Sequence, residues 1–163
     1  DTIIDESTEI RDDYDVVIQA DIIPGADMMV KTLAERGYTL ALVADGRAQS
    51  FKNMLTDHGL YDYFTTMIYS ETIKAAKPHP RMFKAAMGAL ELTEQDIPRI
   101  IMVGNNLSRD VKGANEMGIT SVFLSWTPRY PKAHEDDSQK PNYTISNPVD
   151  LIDLVEKLNA QLQ

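Results

Sequence analysis

The chain has 163 residues, of which 43% are hydrophobic and 25% charged, and it carries a formal net charge of −9. This composition is typical of one soluble globular domain, and it excludes a nucleic acid or an anionic membrane as the main partner, because both require a basic surface. The lack of cysteine excludes disulfides and thiolate metal sites and fits a cytoplasmic protein, and no apolar run approaches the roughly 20 residues that span a bilayer.

The first half of the chain predicts one strand–helix unit after an acidic start. Residues 1–20 are expected to form a loop or small flap. A helix follows Pro24-Gly25 and ends at Arg36-Gly37, with apolar residues at helical spacing. Tyr38–Val43 is expected to be a buried strand, and Ala48–His58 the helix that follows it.

The same alternation continues through the second half. Thr66–Tyr69 and Ile100–Val103 are predicted strands, and Arg81–Leu90 is a predicted helix between them. Ser108 is the expected N-cap of the next helix, which leads to a strand at Ser121–Leu124.

A long polar loop is predicted over residues 125–141, followed by an edge strand at Tyr143–Ile145. Asn147 is the expected N-cap of a last helix that begins at Pro148. Strands that alternate with helices predict a mainly parallel sheet covered on both faces. The fold class is therefore α/β, a single three-layer Rossmann-like domain over residues 1–163.

Three predicted strand ends carry polar residues: Ala44-Asp45-Gly46, Lys77-Pro78, and Gly104-Asn105 with Asp110 in the following turn. In a parallel sheet these ends lie along one edge, so the side chains can meet. A lysine, oxygen donors for a hard cation and helix-start amides together favour a site for a phosphate group with Mg²⁺. Each residue alone also has an ordinary structural explanation: Lys77 as a solvated lysine, Asp45-Gly46 as a common turn, and Asp110 as an acidic residue in the first turn of a helix.

These segments resemble the motifs of the haloacid dehalogenase-like superfamily, most of whose members are phosphatases. The second motif of that superfamily is similar to Leu42–Gly46, the third to Ser70–Phe83, and the fourth to Gly104–Ala114. The resemblance covers nearly the whole chain. It implies that Lys77 is catalytic and stabilises phosphoryl charge.

The resemblance also implies that Ala44, Asp45 and Gly46 bind the substrate, and that Asn105 and Asp110 bind Mg²⁺. Two of these positions depart from the superfamily pattern. Ala44 stands where a hydroxyl normally contacts the phosphoryl group, and Asn105 stands where a carboxylate normally helps to hold the metal. We expect the amide to lower the affinity for Mg²⁺, because it lacks charge.

In this superfamily an aspartate at the end of the first strand attacks phosphorus, and a second aspartate acts as general acid/base. Thr2 best matches the threonine that ends this motif, which places the nucleophile three positions before Asp1. Asp1 itself does not fit, because Ile3 would then occupy the acid/base position. We therefore expect about 10 further residues upstream, from the usual length of a strand with a short lead.

The spacing of the motifs leaves no room for a cap domain, so an open site and a phosphorylated substrate, small or bulky, are expected, with a possible homo-oligomer. The alternative is a weakly active or inactive binding protein for a phosphorylated ligand or protein partner. A receiver-like domain shares the lysine and acidic edge but fits the fourth motif poorly. Arg129 is interpreted as an ordinary surface cation in preference to an anion ligand.

Overall fold

The computed structural model describes residues 2–162, so Asp1 and Gln163 lie outside the described residues. The strands are β1 (Ile10–Arg11), β2 (Val17–Gln19), β3 (Ala41–Ala44), β4 (Thr66–Tyr69), β5 (Ile101–Gly104), β6 (Thr120–Leu124) and β7 (Tyr143–Ile145). The helices are α1 (Ala26–Glu35), α2 (Ala48–Asp57), α3 (Ser70–Ile73), α4 (Pro80–Ala89), α5 (Lys112–Met117) and α6 (Asp150–Gln161). Within residues 2–162 no helix has the length and apolar character to cross a membrane.

The main strands form two parallel half-sheets. β3 pairs with β4, and β5, β6 and β7 pair in that order, all in parallel. β1 and β2 form a separate antiparallel hairpin. The α/β class and the parallel pairing expected from the alternating pattern are confirmed. Within residues 2–162, however, β3 and β5 are not paired with each other, so the predicted single sheet is interrupted between them.

Helices cover the two faces of the half-sheets and create two cores. On one face, α1, α2 and α6 pack on the strands around Met54, Leu55 and Leu124. On the other face, α4 and α5 pack around Met82, Phe83 and Ala114. Alternate strand residues point to opposite faces, so Leu42 lies against the first core and Val43 against the second. The predicted three-layer arrangement is therefore present.

A cavity of about 1130 Å³ lies between the half-sheets and is lined by all four residues of β3 and by Ile101–Val103 of β5. Ala41–Val43 and Ile101–Val103 are only half-buried although they are apolar, whereas Ser121–Leu124 of β6, which has a strand on each side, is fully buried. Strands interior to a parallel sheet are normally buried on both faces. Each half-sheet thus presents an apolar strand to this cavity.

The flap of residues 2–20 is held on α2 by side chains in and next to this helix, which form hydrogen bonds with the backbone of the flap. The backbone N–H of Val17 donates to Ser50 Oγ at 3.0 Å, and Asn53 donates to the Val17 carbonyl at 2.9 Å. Arg47 donates to the Tyr14 carbonyl at 2.6 Å, and His58 Nε2 lies 2.6 Å from the carbonyl oxygen of Ala20. The predicted flap is therefore an ordered hairpin.

Two predicted helix starts are wrong. Asn106, not Ser108, caps the turn after β5, because its side-chain oxygen accepts from the Ser108 N–H at 3.1 Å, and a π-helical turn over Leu107–Val111 precedes α5. The last helix begins at Asp150, because Asn147–Val149 form a preceding turn in which the Asn147 carbonyl accepts from the Asp150 N–H at 3.1 Å.

One predicted strand begins too early. Tyr38 is not part of β3, because its N–H donates back to the Leu33 carbonyl at 3.1 Å and so completes the end of α1. The strand therefore starts at Ala41 rather than Tyr38, and it continues to Ala44.

Candidate active site

Lys77 lies at the carboxyl edge of the half-sheets and contacts both of them. Its Nζ donates to the Val43 carbonyl of β3 at 2.7 Å and lies 2.6 Å from Asp110 Oδ1, in the turn after β5. Its side chain is only 10% exposed, and that of Asp110 is 7% exposed. Lys77, Asp110 and the end of β3 all line the cavity. This buried ion pair therefore fixes the Lys77 ammonium where the cavity reaches the strand ends.

The loop after β3 is held by residues that follow β4. Asp45 Oδ1 accepts from the backbone N–H of Lys77 at 2.9 Å. The Gly46 N–H donates to Ser70 Oγ at 2.8 Å, and Glu71 accepts from the Ala48 N–H at 3.2 Å. Ala44 is buried at the strand end. Asp45 is thus positioned beside Lys77, while the Gly46 amide, expected to face a phosphoryl group, is hydrogen-bonded to Ser70.

The π-helical turn after β5 directs Asp110 inward and Arg109 outward. Asp110 Oδ2 accepts from the Asn106 N–H at 3.1 Å, and Asp110 Oδ1 pairs with Lys77. The Arg109 side chain is 53% exposed, and its Nη1 lies 3.8 Å from Asp45 Oδ2. Asp110, Lys77, Asp45 and Arg109 are therefore linked in that order, with the Lys77 ammonium on Asp110 and the Lys77 backbone N–H on Asp45.

Asn105 is buried in the loop after β5, and its Nδ2 has no hydrogen-bond partner within residues 2–162. Those residues also bring together no group of three histidine, aspartate or glutamate side chains that could hold a metal ion. Asn105 and Asp110 stay the predicted ligands of Mg²⁺, which commonly takes one or two protein ligands and completes its shell with phosphate and water.

The mouth of the cavity is formed by the flap and the loop after β6. Tyr130 donates its hydroxyl to Glu6 Oε2 at 3.0 Å. Arg129 Nη2 lies 3.8 Å from Asp5 Oδ1, and its Nε lies 3.8 Å from Glu6 Oε2. Burial raises the pKa of the Tyr130 hydroxyl, and the negative charge of Glu6 raises that pKa further. The loop and the flap are therefore joined across the cavity.

The structure brings Lys77, Asp45 and Asp110 together, and the cavity that they line also reaches Ala44, Gly46 and Asn105. The chemical role of each residue stays a prediction. Arg129, interpreted as an ordinary surface cation, lies near two flap carboxylates, Asp5 and Glu6. Sequence reasoning did not single out Arg109, Tyr130 or the hydroxyl of Ser70; for Arg109 the available signal was its position next to Asp110.

The family model for haloacid dehalogenase-like hydrolases matches residues 5–124, which is most of the chain. The chain belongs to the haloacid dehalogenase-like hydrolases. A solved relative within this family, a phosphatase from Thermococcus onnurineus, is 26% identical, superposes with a TM-score of 0.71, and is matched over 83% of this chain and 59% of its own chain.

Curated relatives are also phosphatases. A glyceraldehyde 3-phosphate phosphatase from Methanopyrus kandleri is 28% identical over 85% of this chain and 56% of its own length. A phosphoserine phosphatase from Thermus thermophilus is 29% identical over 71% of this chain and 46% of its own length. The chain therefore spans about half the length of the curated relatives that it matches.

Proposed function

We propose that this hydrolase cleaves phosphomonoesters through an aspartyl-phosphate intermediate. The observation that carries the proposal is the buried Lys77 ammonium, 2.6 Å from Asp110 and 2.7 Å from the Val43 carbonyl, at the edge of the cavity. A preorganised cation in a buried site stabilises negative charge that develops on a transferred phosphoryl group. The phosphatase relatives support the same reaction class.

The nucleophile in this proposal is a carboxylate on a further strand between β3 and β5. The cavity there exceeds the roughly 300–1,000 Å³ of ordinary small-ligand sites, and half-buried apolar residues of two parallel strands face it. A parallel strand in this position would end beside Lys77. Its carboxylate oxygen would bond to phosphorus while the bond from phosphorus to the leaving oxygen breaks, and water would then hydrolyse the acyl phosphate.

Asn105 and Asp110 are the proposed protein ligands of Mg²⁺. When bound, the ion would offset phosphoryl charge and so favour nucleophilic attack. Asp110 has both oxygens engaged in the structure, by Lys77 and by the Asn106 N–H, so Lys77 would share this carboxylate with the cation. Asn105 supplies an oxygen without charge, and we infer weaker binding than a carboxylate would give.

Turnover of p-nitrophenyl phosphate by the full-length protein tests the proposal. We expect Mg²⁺-dependent hydrolysis that Lys77→Ala abolishes and that Lys84→Ala, at an exposed position on α4, leaves unchanged. Circular dichroism establishes that each variant is folded. Trapping of a phosphorylated aspartate upstream of Thr2 would support the assigned nucleophile; the encoded sequence must then show an apolar run that ends in an aspartate three positions before Asp1.

A second candidate is a protein that binds a phosphorylated ligand without turning it over. Ala44 lacks a hydroxyl, and the Gly46 amide is occupied by Ser70 at 2.8 Å, which removes two donors expected for a phosphoryl group. Binding of inorganic phosphate by a folded full-length protein that shows no turnover with any divalent metal would favour this candidate over the hydrolase.

A further inference from the structure

Arg109 differs from the other cationic side chains around the cavity in how its charge is satisfied. Lys77 is hydrogen-bonded to a carbonyl and paired with a carboxylate. Arg47 donates to the Tyr14 carbonyl at 2.6 Å, and Arg11 pairs with Glu9 at 2.7 Å. Within residues 2–162, by contrast, Arg109 contacts one carboxylate oxygen, Asp45 Oδ2, at 3.8 Å, which is beyond hydrogen-bond distance.

The position of Arg109 makes this charge available to a ligand. It lines the cavity, its side chain is half-exposed, and it directly precedes Asp110 in the π-helical turn. Its partner Asp45 also has a hydrogen bond that does not involve Arg109, because Asp45 Oδ1 accepts from the Lys77 N–H at 2.9 Å. Arg109 can therefore leave Asp45 without releasing that carboxylate from the site.

We propose that Arg109 binds a second anionic group of the substrate, and that the substrates are small phosphate esters that also carry a carboxylate or another phosphate. This inference rests on the proposed function, because it assigns the first anion to the Lys77 end of the cavity. Arg109 and Lys77 both lie against Asp45, because Arg109 Nη1 is 3.8 Å from Asp45 Oδ2 and the Lys77 N–H donates to Asp45 Oδ1 at 2.9 Å, and both residues line the cavity. The two proposed anion sites are therefore on one side of the same cavity, one on each side of Asp45.

The chemistry of the side chain matches this role. A guanidinium presents five N–H donors in a planar fork that fits carboxylate and phosphate oxygens in pairs. Arg109 makes no hydrogen bond to Asp45, because the two side chains are 3.8 Å apart. A bound carboxylate or phosphate would accept charge-assisted hydrogen bonds from its guanidinium, so Arg109 gains by leaving Asp45 for this anion. A substrate with a single anionic group cannot make this exchange, so Arg109 would discriminate between the two classes.

Calorimetric titration with two non-hydrolysable phosphonates tests the inference on the full-length protein. Methylphosphonate has one anionic group, and phosphonoacetate adds a carboxylate. We expect phosphonoacetate to bind about tenfold or more tightly than methylphosphonate, from the usual strength of a charge-assisted pair. Arg109→Gln should remove this preference while methylphosphonate binding stays within about twofold, and Arg109→Lys should restore part of it.

Arg36→Gln is the matched control, because Arg36 is similarly exposed and pairs with one carboxylate, Glu156, at 3.1 Å, but does not line the cavity. An equal loss of preference in this control, a preference retained by Arg109→Gln, or no binding of either phosphonate by the wild type would overturn the inference. If the preference and its loss in Arg109→Gln are found in a protein without phosphatase turnover, the inference stands and the proposed hydrolysis fails.

Discussion

Gly104 and Asp110 are in such close contact that a methyl group at Gly104 would overlap the carboxylate. An added Cβ would lie 2.2 Å from Asp110 Oδ2 and 2.3 Å from Asp110 Cγ. The last residue of β5 is therefore glycine because the π-helical turn folds Asp110 back onto the strand. The position of Lys77 depends on this contact, since Asp110 is its paired carboxylate.

Gly104→Ala should therefore displace Asp110 and destabilise the fold by about 1–3 kcal/mol, the usual range for an overpacked core. Urea unfolding measures the loss. Gly88→Ala is the matched control, because Gly88 lies in α4 with nothing within 4 Å of an added Cβ. That change should stabilise the protein by about 0.5–1 kcal/mol through helix propensity. Equal effects of the two substitutions would contradict the contact.

Lys77→Met should destabilise the protein by roughly 3–5 kcal/mol, because it leaves the Asp110 carboxylate buried without its cation. The double variant with Asp110→Asn should recover part of this loss, which a double-mutant cycle of unfolding free energies would measure. The exposed pair Arg36 and Glu156 serves as the comparison, with side chains 48% and 41% exposed, and its coupling should be about 0–1 kcal/mol. A coupling for Lys77 and Asp110 no larger than this would contradict the buried pair.

Asn105→Asp should raise the affinity for Mg²⁺ by about tenfold or more, because it adds a carboxylate beside Asp110. Without metal the same change should lower the melting temperature, since it buries a second negative charge at a position that is 7% exposed. Calorimetry and thermal unfolding, with and without Mg²⁺, measure both effects. Asn106→Asp, at the half-buried neighbouring position, provides the control.

Ser121→Ala should destabilise the chain by about 1–3 kcal/mol, because it leaves buried polar groups without partners. The fully buried Ser121 Oγ donates to Asn115 Oδ1 at 2.7 Å and accepts from the Asn142 N–H at 3.0 Å. Limited proteolysis should cut residues 126–141 faster in the variant, since Asn115 also holds the Ser138 and Lys140 carbonyls of that loop. Ser125→Ala, which removes only a 3.3 Å contact to the Ile145 carbonyl, should have a smaller effect.

Asp96 should make stability fall at acid pH. A hydrogen bond from the Thr93 N–H, followed by the pairing with Arg99, lowers the pKa of Asp96 below its ordinary value. Because the pKa of Asp96 is lower in the folded state, ionised Asp96 contributes to the free energy of unfolding above the unfolded-state pKa of about 3.9. This contribution is lost as the pH falls through the folded-state pKa. The stability difference between wild type and Asp96→Asn should shrink between pH 6 and pH 3, as urea unfolding would detect; a constant difference would contradict the shift.

The order of strands and helices was predictable because apolar runs and helical spacing are properties of neighbouring residues. The parallel pairing and the helices on both faces follow from that order, whereas the interruption between β3 and β5 does not. Ser108 was a wrong N-cap because the Asn106 side chain, two residues earlier, accepts from the Ser108 N–H and caps the turn, and both choices agree with the sequence. Tyr38 was assigned to a strand because it begins an apolar run. The sequence cannot reveal that its N–H donates to the Leu33 carbonyl at the end of α1.

At the site, motif order predicted that Lys77, Asp45 and Asp110 would share one sheet edge, and they do. The partners of individual atoms were not predictable. The hydrogen bond from the Gly46 N–H to Ser70 Oγ joins residues 24 positions apart and depends on the loop conformation. The long contact of Arg109 with Asp45 likewise depends on how the π-helical turn directs consecutive side chains.

The attachment of the flap to α2 has a consequence for how this protein can diverge. Arg47 and Asn53 donate to carbonyl oxygens of the flap, and Ser50 accepts from a flap N–H, so these three bonds recognise main-chain atoms. Ile10, Tyr14 and Ile18 of the flap are exposed by half or more. Natural variation can therefore replace these side chains while the hairpin stays anchored, and the surface around the cavity mouth can evolve independently of the scaffold that supports it.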